Sequence, residues 1–468
     1  MSTKADESGS KYLIFGVTGL AVLVGAFAIN SVNLALPTIA AEFQVSQSAV
    51  SWLVLVYSLI PCCSLLFFGR LGDIYGYRRQ FLFGFIFFGV VSFLTPFLAV
   101  DLKSLIILRC LQALGASMLI SITQAIISRS FEASERGKAL GINSVLVSIG
   151  MASGPTIGGL LIEHFSWRAI FFFNVPFCVI GFLVTLAVLK DDSVKGVISQ
   201  RKDWIGSILF ALSIGLFTIG LNFSHSWGWL SAAFLACILG SICLMVLFIK
   251  YEKRVEYPLM QLKLFQNATF SLANVVCVCS FMALQMISFL TPFFLIDILL
   301  LQSDHSGMIM LIFPLAMMIF SPFGGAMTDK RGIRPPAMLG LLMIGMGCVL
   351  MSLLTEASGV ASVVGVLILL GAGNGYSLPA INTAILSSVP RDQAGVASGM
   401  AATMRNLGQT LGVTIGSVII AMRQEIYLAA SFMTLNEAYL RAARDALFVG
   451  AVIVFIALLL AYKIPGKR

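Results

Sequence analysis

From Leu13 to Tyr462 the chain alternates long apolar runs with short polar breaks. About 20 apolar residues rising 1.5 Å each suffice to cross a hydrocarbon core, so each run predicts one membrane-spanning helix. Six such helices are expected near 12–36, 47–68, 80–99, 103–126, 138–162 and 168–189. A polar linker, Lys190 to Asp203, separates them from two runs near 204–223 and 230–250, and a second linker runs from Tyr251 to Asn267. Six more runs occupy 269–291, 305–327, 335–355, 359–384, 394–420 and 444–463. The expected fold is all-α and integral to the membrane: 14 transmembrane helices, two six-helix bundles plus two inserted helices. In residue terms these are a tail 1–11, a bundle 12–189, a middle segment 190–267, a bundle 268–463 and a tail 464–468. Met422 to Asp445 fits either an amphipathic loop helix or an extension of the last spans.

Composition removes the soluble alternative. The 468 residues are 59% hydrophobic and only 11% charged, against about 25% charged in soluble domains. All nine cysteines lie in apolar runs, so packing rather than a disulfide framework is expected. Met1 to Lys11 lacks the basic, apolar and cleavage order of a signal peptide, which makes span 1 an expected uncleaved anchor. The net charge of +9 is scattered between apolar runs rather than gathered into a nucleic-acid patch. With the N-terminus inside, 23 of the 30 Lys and Arg fall on inner segments and 5 on outer ones, while Arg109 and Arg405 lie within helices. That bias predicts an inner-membrane or plasma-membrane protein, multi-pass, with both termini cytoplasmic.

Two segments share the pattern G-x-x-x-D-x-x-G-x-R: Gly69, Asp73, Gly76 and Arg78 (followed by Arg79) after span 2, and Gly325, Asp329, Gly332 and Arg334 after span 10. They lie 256 residues apart at equivalent places in the two halves, which indicates duplication. Read as inner loops, they are expected to form short hinges in which glycine allows a tight turn and Asp caps a helix or pairs with a base. Arg129 and Arg136, at the inner ends of spans 4 and 5, are the expected partners of Asp73 in an inner latch. In span 5, Gly150, Gly154, Pro155, Gly158 and Gly159 give a small-residue face for close helix packing, with a proline that bends the helix.

With these motifs the chain resembles the major facilitator superfamily, and specifically its fourteen-span drug:proton antiporter branch. The string G-x-x-x-G-P-x-x-G-G from Gly150 to Gly159 resembles the antiporter motif of its exporters. Trp167-Arg168 with Phe171, Asn174 and Pro176, Asn33 through Pro37, Asp203-Trp204 with Gly206, and Pro258 through Phe265 are also similar, so the resemblance covers essentially the whole chain. It implies efflux of small amphiphilic or drug-like compounds by alternating access, in exchange for protons. One departure concerns coupling: the acid usual in span 1 is Ala28 here, and its neighbours Asn30, Ser31 and Asn33 do not titrate. Glu163, Asp297 and Glu356 all lie away from the span centres.

Arg109 and Gln112, followed by Ala113 and Gly115, resemble the superfamily's span 4 motif with Ala113 replacing a glycine. An arginine within a membrane span is functional by default. Arg109, Gln112, Asn30, Asn33 and Asn143 form the expected substrate or coupling set. A cavity with Arg109 and no facing carboxylate should suit neutral, zwitterionic or anionic amphiphiles rather than dications. Arg405 in span 13 is a weaker candidate because its head can snorkel to the inner face. Tyr57, Tyr376, Gln285, Asn374 and Asn382 are further pathway candidates, weighed against ordinary core or lipid contact.

His164, His225 and His305 lack ligand spacing, so no metal is expected. Gly371 to Gly375 lacks a following Lys-Ser/Thr and is no phosphate loop. No cofactor and no enzymatic activity are expected. The expected partners are a small-molecule substrate, the lipid bilayer and, through the resemblance, protons; no nucleic acid is expected, and the chain is expected to act as a monomer. Competing readings are a same-fold importer or uniporter for neutral or anionic solutes, a membrane-embedded enzyme, and a non-transporting membrane sensor.

Overall fold

The computed structural model describes residues 2–45, 47–50, 52–132, 134–189, 203–255, 258–259, 262–301, 303–355, 358–390, 393–430 and 434–465. Most of the first linker, Glu356, Arg391 and the last three residues therefore lie outside the described set. The helices run α1 (Ser2–Phe43), α2 (Gln47–Val50), α3 (Trp52–Tyr75), α4 (Tyr77–Leu98), α5 (Leu102–Ser130), α6 (Arg136–His164), α7 (Ala169–Val188) and α8 (Trp204–Trp227). They continue as α9 (Ala232–Glu252), α10 (Ala268–Phe293), α11 (Ser303–Met310), α12 (Ile312–Arg331), α13 (Arg334–Ser352), α14 (Val360–Ser387), α15 (Ala394–Ala430) and α16 (Leu435–Lys463). Among the described residues there is no strand, and 14 helical stretches are long and apolar enough to cross a membrane.

Two groups of helices and a hairpin emerge from the packing. In the first group α1 lies on α5, α6 and α7, α3 on α5, and α4 on α5 and α7. In the second, α10 lies on α14, α15 and α16, α13 on α14 and α16, and α12 on α14. The α8–α9 hairpin is pinned by reciprocal bonds, Ser213 Oγ donating to the Ser241 carbonyl at 2.9 Å and Ser241 Oγ to the Ser213 carbonyl at 2.8 Å. It leans on α3 and α15. Throughout, the helix keeps its backbone polar groups bonded internally, as the hydrocarbon requires.

Two expectations change. The duplicated motifs are not loops: Gly69 to Tyr75 belong to α3 and Gly325 to Arg331 to α12, and the break is Gly76 at φ 89° in the first and Gly332 at φ 85° with Ile333 in the second. Positive φ is open to glycine without a Cβ clash, so the preceding helix continues for two more turns before the chain reverses. Met422 to Asp445 is mostly an extension of the last two spans. At 37 residues α15 is about 55 Å long, well beyond a ~30 Å core. Its projecting end is tied to α16 by Asp445, which accepts from Arg423 Nε at 2.6 Å and Tyr427 OH at 2.7 Å.

The glycine stripe of α6 packs against α1 inside the first group. A Cβ at Gly150 would lie 2.8 Å from the Ala26 Cβ, and one at Gly158 2.9 Å from the Ser31 Cβ. Gly154 abuts Asn30 and Ser31 even more closely, and Gly159 faces Leu34. The side chain of Pro155 lies outside the described set, while the helix continues through its backbone. A leucine at Gly154 is expected to part α1 from α6 and destabilise the protein by about 1–3 kcal/mol, seen as a lower unfolding temperature in detergent.

At the far end of the same group, Glu42 accepts from Trp167 Nε1 and Arg168 Nη1, both at 2.5 Å. Burial raises the Glu42 pKa, but the two hydrogen bonds and the Arg168 charge outweigh it and hold the carboxyl below its ordinary value. This stabilisation is therefore complete above the unfolded pKa near 4.3 and is lost as pH falls through the lower folded value. Glu42→Gln is expected to lower the unfolding temperature at pH 7 by an amount worth at most about 1 kcal/mol. The gap to wild type should narrow as pH falls below the unfolded value and vanish once it is under the lower folded one.

Candidate functional site

The helix ends that carry the basic repeats, here the basic end, are where the two bundles meet most closely. Asp73, at the last turn of α3, has a side chain only 2% exposed. Its Oδ1 accepts from the Gly395 N–H and its Oδ2 from the Val396 N–H, both at 2.9 Å. Asp329, at the last turn of α12, does the same to α6: Oδ1 accepts from Gly137 N–H and Oδ2 from Lys138 N–H, both at 2.7 Å. The first-turn N–H groups of a helix have no partner within it and carry the positive end of its dipole. Each bundle thus supplies the carboxylate that caps a helix of the other.

Glycine makes the approach possible. A Cβ at Gly137 would sit 2.7 Å from both Asp329 Oδ1 and the Gly325 carbonyl, and one at Gly395 would sit 2.7 Å from Asp73 Oδ1. Gly69 abuts the Gly395 carbonyl, Gly399 the Leu65 carbonyl, and Gly141 the Ser321 carbonyl. These contacts follow a second repeat: Gly137 and Gly141 stand 258 residues before Gly395 and Gly399. Sequence reasoning missed it. Its signal was a G-x-x-x-G pair at the start of spans 5 and 13, spaced like the Asp motifs to within two residues.

The basic residues divide between this junction and the bundles themselves. Arg129 stands 3.7 Å from Asp73 and lies over the Tyr77 ring at 4.4 Å, while Tyr77 OH donates to Asp73 Oδ1 at 2.6 Å. Arg136 begins α6. Arg78 Nη2 donates to the Leu186 carbonyl at 3.0 Å, in the last turn of α7. Its repeat partner Arg334 donates through Nε and Nη2 to the Ile464 carbonyl at 3.0 and 2.8 Å, at the end of α16. Both satisfy helix C-terminal carbonyls within their own bundle. Arg79 follows Arg78 in the first turn of α4.

Arg109 is 1% exposed and lies inside the first bundle. Its Nη1 donates to Gln112 Oε1 at 2.7 Å and reaches the Ala28 carbonyl at 3.4 Å. Gln112 Nε2 donates to Ser92 Oγ at 2.8 Å, and the guanidinium lies over the Tyr57 ring at 4.0 Å. One arginine therefore ties α1, α3, α4 and α5 together, and is shielded from any open chamber. Asn30 donates to the carbonyl of Ala26 at 2.8 Å, and Asn33 is exposed near the far end of α1. Asn143 is 6% exposed and sits two turns above the junction, its Oδ1 unpaired among the described residues. The expected set is thus spread over three places. No group of three or more His, Cys, Asp or Glu suited to a metal occurs among the described residues.

Asp73→Asn and Asp329→Asn keep the shape of the caps while removing their charge. Each is expected to weaken the junction by about 1.5 kcal/mol. The check is the alkylation rate of a Ser398→Cys reporter, buried beside the junction, in a background free of the native cysteines; it should rise roughly tenfold.

Comparison with known proteins agrees with this geometry. The Major Facilitator Superfamily model matches residues 18–413. Riboflavin transporter RibZ of Clostridioides difficile (strain 630) is 31% identical over 453 residues, covering 96% of each chain. Multidrug resistance protein Stp of Mycobacterium tuberculosis (strain CDC 1551 / Oshkosh) is 32% identical over 406 residues, covering 86% of this chain and 75% of its own. Among solved structures, the proton:xylose symporter XylE superposes with a TM-score of 0.68 at 15% identity, covering 99% of this chain and 97% of its own, a likeness of fold. A match along nearly the whole length, on twin bundles that cap one another's helices, places this chain in the Major Facilitator Superfamily, as a membrane transporter rather than an enzyme.

Proposed function

We propose that this transporter exports small amphiphilic compounds by alternating access, with the basic end on the cytoplasmic side. The observation that carries the reading is the pair of reciprocal caps, Asp73 on α15 and Asp329 on α6. A carboxylate bonded to two N–H groups of a helix can be released as a unit when that helix swings away. Two such latches at one end make a gate that opens only when both bundles turn. With the basic end inside, the conformation described has its cytoplasmic gate shut.

Support for export comes from the Gly150 to Gly159 string and from the printed name of the multidrug resistance relative. Protons are the proposed counter-ion. Their carrier is not an acid at position 28, where Ala28 instead offers its carbonyl to Arg109. A second reading has its own support: the relative matched over 96% of both chains is named a riboflavin transporter. Under that reading the cargo is a flat, polar, vitamin-like solute and the direction is inward.

Purified protein in proteoliposomes, under an imposed pH gradient of either sign, separates the two. Export coupled to protons is expected to concentrate an amphiphilic dye against its gradient when the lumen is acid. Asp73→Asn or Asp329→Asn should reduce that flux at least tenfold, from the loss of about 1.5 kcal/mol at the gate. Riboflavin flux that ignores the pH gradient, with no dye movement, would establish the second reading.

A further inference from the structure

Arg405 is a charged group within a span that neither the gate nor the Arg109 cluster uses. It stands eleven residues into α15, about 16 Å from the helix start, inside the stretch Ala394–Ala429 that is long and apolar enough to cross a membrane. Its side chain is half-buried, and among the described residues it makes no hydrogen bond or ion pair; the Cys277 thiol on α10 is an electrostatic neighbour. At that depth a guanidinium without a partner needs water or a ligand.

Helix geometry gives the direction it faces. Gly395 and Gly399 put one side of α15 on α3 of the opposite bundle, while Gly408 and Gly412 put another on Val278 and Met282 of α10. At about 100° per residue, Arg405 and Gln409 fall on the arc between these two sides. The reverse of the helix, with Val396 and Met400, shares an apolar core with Phe210, Ile214 and Phe248 of the α8–α9 hairpin. The Arg405 arc lies between the side of α15 set on α3 and the side set on α10, and α15 also packs on α5, so the arc borders the space where the bundles face each other. Gln285 of α10 is half-buried beside Gly412. The repeat-related position in the first bundle is Val147, so the charge is one-sided.

Resting on the alternating-access reading, we infer that Arg405, flanked by Gln409 and Gln285, forms a binding site for the anionic group of an organic-anion substrate in the chamber between the bundles. The guanidinium offers forked N–H donors to a carboxylate, sulfonate or phosphate oxygen pair, and the two amides add neutral donors beside it. Arg109, sealed within its own bundle, does not compete for that anion.

The test uses the full chain in proteoliposomes with three probes of one shape: naphthalene-2-sulfonate, 2-naphthamide and 2-naphthyltrimethylammonium, each corrected for leak through protein-free vesicles. Wild-type protein is expected to carry the sulfonate at least tenfold faster than the ammonium. Arg405→Gln should lower sulfonate flux about tenfold while amide flux stays within about twofold. Arg405→Lys, which keeps the charge but loses the fork, should hold sulfonate flux above that of Arg405→Gln and below wild type, and both variants should match wild type in unfolding temperature to show intact folding. Amide transport with an unchanged charge ratio in Arg405→Gln would sink the inference and leave the carrier reading standing. Equal loss of all probes in both arginine variants would also overturn it, as a structural effect, and wild-type protein that carries none of the three would overturn the inference and the carrier reading together.

Discussion

The arrangement of this transporter depends on a carboxylate of one bundle bonding the unpaired N–H groups at the start of a helix in the other. Burying an aspartate between helices is costly unless its charge is compensated. Here compensation comes from two N–H groups and the positive end of a helix dipole, with Arg129 and Tyr77 added at Asp73. The bond requires backbone to approach backbone, which is why glycine stands at Gly69, Gly137, Gly325 and Gly395. Duplication gives the junction two such bonds with near two-fold symmetry, so neither bundle can tilt without breaking both.

A latch of this kind is strong enough to hold and weak enough to break. Hydrogen bonds to a charged group contribute about 1.5–3 kcal/mol each, a scale that substrate or ion binding can offset. Backbone donors also make the latch indifferent to which side chains line the helix start: Lys138 and Val396 occupy equivalent positions yet offer the same N–H. The side chains are left free for other work. Arg78 and Arg334 hold the ends of α7 and α16, which lets each bundle move as a rigid body.

Polar groups away from the junction divide by what surrounds them. Arg109 donates through Nη1 to Gln112 and to a carbonyl of α1 while its buried Nε is unpaired among the described residues, and it braces the first bundle from within. Arg405 has neither among the described residues. The two look alike in the sequence, each an arginine followed three or four residues later by a glutamine. What distinguishes them is the neighbour across the helix interface: α1 and α3 close over Arg109, whereas α15 turns Arg405 toward the gap between bundles.

Much of the fold was legible in the sequence because a membrane leaves few options: apolar length demands helices, and the duplicated Asp motif demands two related halves. Helix ends were less legible. The motif glycines read as a loop because glycine ordinarily breaks helices, but in lipid small residues mark close packing, so α3 and α12 run on to Gly76 and Gly332. A pairing of Asp73 with Arg129 was among those the sequence suggested, and the two stand 3.7 Å apart, while the Asp73 bonds to Gly395 and Val396 were not legible, because a backbone N–H carries no side-chain signature. Residue types alone thus determined the helical class, the twofold repeat and the presence of charges inside the bilayer. Which charge is sealed and which faces the chamber was decided by how the helices pack, since a side chain's solvation depends on residues hundreds of positions away.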